Sequence, residues 1–92
     1  MKKETTIAVI CNTTEDFEMW SMIQKHKPSA RRSRKDYTYK NNRYICIISP
    51  ENCHGFIFNE MIETDSAYLN KRHDIIVNSI KPCLVTNLIK QS

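Results

Sequence analysis

The chain carries a single glycine, Gly55, in 92 residues. A phosphate-binding loop draws several backbone N–H groups onto one phosphate, which takes closely spaced glycines and a lysine beside them. A dinucleotide-binding turn needs glycines for the same close approach. Both are excluded in their standard forms. The four cysteines include no C-x-x-C pair, whereas zinc sites take paired ligands at short fixed spacing. Cys11 and Cys46 stand inside the apolar runs AVIC and YICIIS, where a reduced, buried thiol is the usual occupant. No metal and no cofactor is therefore expected. Apolar runs never exceed five residues, too short to cross a membrane. The start, MKKETTIAVIC, has a charged head, but polar NTTEDFE follows its short apolar run. It reads as no signal peptide, and a cytoplasmic location is expected, the host-cell cytoplasm if the protein is viral.

Positive charge, by contrast, is concentrated. Eight of the fourteen Lys and Arg residues lie within residues 25–43 (KHKPSARRSRKDYTYKNNR), against one acid, Asp36. That stretch is formally +7 and the rest of the chain −3. Such polarisation is an electrostatic footprint for a polyanion or an acidic partner.

Elements can be read in order. Residues 6–11 (TIAVIC) are apolar without alternation, as in a strand covered on both faces. Thr13-Thr14-Glu15-Asp16 has the form of a capping box, and Phe17, Trp20 and Ile23 recur at helical spacing, which predicts a helix over residues 14–26. Pro28 stands just beyond it. A basic loop follows. Tyr37 and Tyr39 alternate with polar neighbours as in a short half-exposed strand, with a turn at Asn41-Asn42. Residues 43–49 (RYICIIS) form a second apolar strand, closed by Pro50. Phe56-Ile57-Phe58 reads as a third, running towards Ile62. Asp65 or Ser66 caps a second helix that reaches Ile80 and ends at Pro82. Residues 83–86 (CLVT) add a short last strand, and residues 87–92 a frayed tail.

This order predicts one α/β domain over residues 1–92: a small three-layer, mostly parallel sheet of four or five strands with two main helices. The alternative is an α+β ferredoxin-like βαββαβ layout, which requires residues 50–62 to be the second helix. In that layout RNA would stack on exposed aromatics of the central strands. TIAVIC and RYICIIS offer only Tyr44 for this.

Candidate chemistry is sparse. Cys53 beside His54 is the best nucleophile–base neighbour pair, with no third group to orient it. His26 and His73 read as helix-surface residues. Glu60, Glu63 and Asp65 read as a solvated acidic loop that could also hold a metal. No residue is assigned a catalytic or metal-binding role.

The segments TIAVICNTTEDFEMW and RYICIISPENCHGFIFNEMIETD resemble small phage-encoded α/β proteins similar to a trimmed P-loop ATPase core of the terminase or helicase sort. In such cores a strand ends on acids that hold magnesium, and Asn59-Glu60 stands at the matching place. The phosphate loop is missing altogether. The resemblance therefore implies a catalytically dead core that retains at most binding.

The expected function is non-enzymatic binding through the basic loop at residues 25–43. Arg31, Arg32, Arg34 and Lys35 serve as anion contacts, and Lys40, Arg43, Tyr37 and Tyr39 as supports, the tyrosines stacking on bases or guanidinium groups. Nucleic acid is the expected partner, held through its phosphate backbone with little sequence preference. Six phosphate contacts predict a log–log salt slope of roughly −5 on duplex DNA. The alternative is an inhibitor or adaptor that docks on an acidic host protein. An exposed sheet edge would further allow a homodimer, and no membrane partner is expected.

Overall fold

The computed structural model describes residues 4–85. In chain order they form β1 (Thr5–Ile10), α1 (Thr14–Ile23), β2 (Ala30–Ser33), β3 (Asp36–Tyr39), β4 (Asn42–Ile47), β5 (Glu60–Glu63) and α2 (His73–Ile80). Three short 3-10 helices, Pro50–Cys53, Asp65–Leu69 and Lys81–Cys83, punctuate the second half. The strands make one sheet in the order β2-β3-β4-β1-β5.

The sheet has a core on each face. From β1, Ala8 and Ile10 pack with Ile45, Ile47, Ile76 and Ile80, under α2. The alternate residues Ile7 and Val9 pack with Tyr37, Tyr44, Cys46 and Phe17, under α1. Residues that alternate along a strand face opposite sides, so an apolar run without alternation is what a doubly covered strand requires. Three layers and two main helices are as the sequence implies. The ferredoxin-like alternative is not formed, because residues 50–62 hold a 3-10 helix and the start of β5 rather than an α-helix.

The sheet is mixed, which corrects the expectation of a mostly parallel one. β1 pairs in parallel with β4 and β5, whereas β2–β3 and β3–β4 are antiparallel. The cause is local. Two-residue connections join antiparallel strands but cannot join parallel ones. Arg34-Lys35 links β2 to β3, and Lys40-Asn41 links β3 to β4 with φ of 49° and 66°. The second turn thus lies one residue before the Asn41-Asn42 position.

α1 starts as its sequence indicates, with the Thr13 hydroxyl accepting from the Asp16 N–H at 3.1 Å. It stops at Ile23, three residues short of the predicted end. Lys25 takes φ of 59°. The Lys25 N–H reaches the Met22 carbonyl at 2.9 Å and the His26 N–H the Ser21 carbonyl at 3.0 Å. This is the paired closure of a Schellman motif. Because a side chain in the left-handed region costs about 1 kcal/mol or more relative to glycine, Lys25→Gly is expected to raise stability by about 1 kcal/mol in urea unfolding. A loss of stability would contradict the closure.

Two other elements differ from expectation. Phe56–Phe58 is not a core strand: Phe58 makes one parallel bridge, to Leu84, and β5 begins at Glu60. Pairing with β1 is set by Asn59, whose N–H donates to the Thr6 carbonyl and whose Oδ1 accepts from the Thr6 N–H, at 2.7 and 2.9 Å. The predicted last strand reduces to that Leu84 bridge; its Thr86, and the tail at 87–92, lie outside the described residues. The second helix is split at Asn70 into a 3-10 turn and α2.

Candidate nucleic-acid interface

The basic segment is not a loop. β2 is one of the sheet's two edge strands, and all four of its residues, Ala30 to Ser33, are exposed. Strand alternation in Asp36-Tyr37-Thr38-Tyr39 sends the tyrosines to the α1 side and leaves Asp36 and Thr38 on the other. Among the described residues no helix packs on that second face at β2 and β3, and polar side chains occupy it.

Those side chains sort the cations into two groups. Arg43 grips Asp36 with both ends of its fork, at 3.0 and 2.6 Å. Arg32 donates to Thr38 Oγ1 at 2.8 Å and lies 3.8 Å from both Glu4 and Asp36. Arg34 reaches back to Glu18 of α1, its Nε 3.0 Å from Oε1. These three guanidinium groups already hold carboxylates. The Arg43 charge is further secured by its hydrogen bonds to Asp36.

The remaining five, Lys25, Lys27, Arg31, Lys35 and Lys40, form no ion pair among the described residues. Arg31 touches the Ser33 carbonyl and lies over the Tyr37 ring, and Lys40 lies over Tyr39. Three of the five, Lys25, Lys27 and Lys40, lie beside one residue, His26, and Arg31 lies over Tyr37, which hydrogen-bonds His26. Its neighbours in sequence are Lys25 and Lys27. Its ring stacks on Tyr39 at 4.7 Å, and Nδ1 is 2.9 Å from the Tyr37 hydroxyl. Trp20 and Tyr44 close the remaining sides, at 5.4 and 4.7 Å between centroids.

This arrangement changes the roles expected of the tyrosines. Tyr37 is 0% exposed, packed between Phe17 and Tyr44. Its ring is part of the core and is closed to a base, and burial raises its phenol well above the ordinary value. Tyr39 is half-buried, with His26 on its ring and the Lys40 ammonium over it. His26, read from sequence as a helix-surface residue, sits instead beyond the helix inside this aromatic cluster. Nothing local in KHKP signals that, because its three tyrosine partners lie 11 to 18 residues downstream.

Burial, then the nearby Lys40, lowers the His26 pKa from 6.5. A lowered value means that the unfolded chain binds the proton more readily. His26's contribution to stability is therefore complete above 6.5 and lost as pH falls through the depressed value. His73 opposes this. A hydrogen bond to Glu63, Nε2 to Oε2 at 2.7 Å, raises its pKa, so its contribution is present below 6.5 and lost as pH rises. Denaturant titrations between about pH 5 and 7.5 should show wild type losing more stability on acidification than His26→Gln. His73→Gln should lose more than wild type. Equal pH slopes for wild type and His26→Gln would contradict the assignment.

The other candidates are not assembled into chemistry. Cys53 is buried and its thiol pushed up by burial, while His54 is exposed, so the pair does not form an activated nucleophile. Glu63 is engaged with His73, and no group of three or more metal-ligating side chains occurs among the described residues. Asn59 and Glu60 lie at the start of β5, not at the C-terminal end where magnesium-holding acids of a P-loop core would stand. That C-terminal edge, where open α/β sheets bind ligands, is bridged between β1 and β4. The Asn70 amide donates to the carbonyls of Cys11 and Ile48 at 3.0 and 2.9 Å, tying the ends of β1 and β4 together. No helix among the described residues is long and apolar enough to cross a membrane. No protein-family model matches the chain, and neither a curated protein nor a solved structure matches it.

Proposed function

We propose that this chain is a non-enzymatic binding protein that holds nucleic acid by its phosphate backbone. Lys25, Lys27, Arg31 and Lys40 around the His26 cluster make the contacts, extended by Lys35 at the β2–β3 turn. The observation that carries this reading is the sorting of the charges: the chain neutralises Arg32, Arg34 and Arg43 internally and leaves five cations of the same segment without a carboxylate partner among the described residues. Arg32, Arg34 and Arg43 then act as positioning residues that brace the edge strand. Sequence preference is expected to be slight. The outward face of α1 begins with Glu15 and Asp16, which a DNA groove would repel.

Fluorescence anisotropy with labelled single-stranded and duplex oligonucleotides at low salt tests the proposal. Binding that tolerates sequence change supports it. Absence of binding to either form at low salt would overturn it and favour an acidic protein as partner, for which the in-chain arginine–carboxylate pairs are the precedent.

A further inference from the structure

The outward face of α1 has a character unlike the rest of the surface. Met19, Met22 and Ile23 are 61%, 74% and 70% exposed, three large apolar side chains on adjacent turns. With Phe17 and Ser21 turned inward, the 100° step per residue puts Glu15, Asp16, Met19, Met22 and Ile23 on the opposite side. Beside them runs a groove of about 210 Å³, lined by Met19, Trp20 and Ile23 and by Thr64 to Ser66 of the β5 end. A contiguous apolar patch on a small protein marks an interaction site.

Charge names the occupant. The face is acidic at its start, through Glu15 and Asp16, and the chain just past its end is basic, through Lys25 and Lys27, with no basic residue in the last turn itself. Such a stripe, acid then apolar then base, is complementary to itself when reversed. We propose that α1 packs on α1 of a second copy of this chain, antiparallel about a two-fold axis. In the register that sets Met19 against the second copy's Ile23, the two Met22 side chains meet near the axis. Glu15 and Asp16 then lie towards the end of the second copy's α1, where Lys25 and Lys27 follow the last turn, and the reverse pairing forms by symmetry, as an isologous interface requires. This interface uses neither β2 nor Arg31; it shares Lys25 and Lys27 with the proposed nucleic-acid surface, but association is read without nucleic acid and does not rest on that reading.

The apolar part is small, so the dimer is weak and shows itself through concentration. Sedimentation velocity on wild type should give a mass that rises towards twice the chain's between about 10 μM and 1 mM. Met19→Lys should remain monomeric across that range. Glu15→Lys and Lys27→Glu should each weaken association by at least about tenfold, and the double variant Glu15→Lys/Lys27→Glu should restore it. All these positions are exposed, so folding is retained, which circular dichroism verifies. A wild type that stays monomeric at about 1 mM would overturn the proposal. Association untouched by Met19→Lys, or a double variant as weak as the single ones, would overturn it too.

Discussion

Asn70→Ala is expected to lower the stability of this protein by about 3 kcal/mol, a fall in Tm of about 15 °C for a domain of this size. The side chain is small, polar and buried, and it makes three bonds that no neighbour can replace. Its amide donates to the Cys11 and Ile48 carbonyls, and its Oδ1 accepts from the Arg72 N–H at 2.9 Å. Removing it strands two carbonyls at strand ends and frees the turn that starts α2. Leaving a buried polar group unpartnered costs about 1–3 kcal/mol each. Asn70→Asp should be no milder, since a carboxylate oxygen would face both carbonyls in place of the amide hydrogens. Differential scanning calorimetry measures both. A loss under about 1 kcal/mol would mean that the loops close without the bridge.

Changing Lys25, Lys27, Arg31 and Lys40 together to Glu is expected to reduce nucleic-acid affinity about a thousandfold at low salt. Each contact to a polyanion is worth on the order of 1 kcal/mol, and each 1.4 kcal/mol is tenfold. Stability should fall by only about 1 kcal/mol, since Arg31 and Lys40 lose their places over the Tyr37 and Tyr39 rings but none of the four is in an ion pair among the described residues. Arg43→Ala should do the reverse. Its bidentate pair with Asp36 is partly buried, so its loss costs about 1–2 kcal/mol of stability and leaves affinity within a few-fold. Anisotropy and urea unfolding on the same samples separate the two effects. If Arg43→Ala weakened binding as much as the fourfold variant, the division of the cations into braces and contacts would be wrong.

Much of the fold is legible wherever a signal is local. The doubly covered strands β1 and β4 announce themselves by unbroken apolar runs, α1 by Thr13 and its helical spacing, and the hairpin by its asparagines. β2 is not legible. Ala30 to Ser33 has no apolar alternation, because an exposed edge strand buries nothing. β5 has only Met61 and Ile62 between two glutamates, and the aromatic run before it gives a stronger but false strand signal. The break at Asn70 is set by carbonyls 22 and 59 residues away, which no local pattern encodes. For the candidate site, charge clustering in the sequence marks the segment that is proposed to bind. It did not show which arginines the chain keeps for itself. That depends on Glu4, Glu18 and Asp36, two of which lie outside the segment. The alternation of Asp36 to Tyr39 showed a half-buried strand without showing that the tyrosines face inward.

The central claim is that four to five cations, not six to eight, are left to meet phosphate. Wild-type affinity for a duplex oligonucleotide, measured from about 20 to 200 mM salt, tests it most directly. A log–log slope of about −4 is the predicted result, shallower than six contacts would give. A slope of about −5.5 or steeper would contradict the claim, because the braced arginines would then also meet phosphate, and a slope near zero would mean that the contacts are not phosphate contacts.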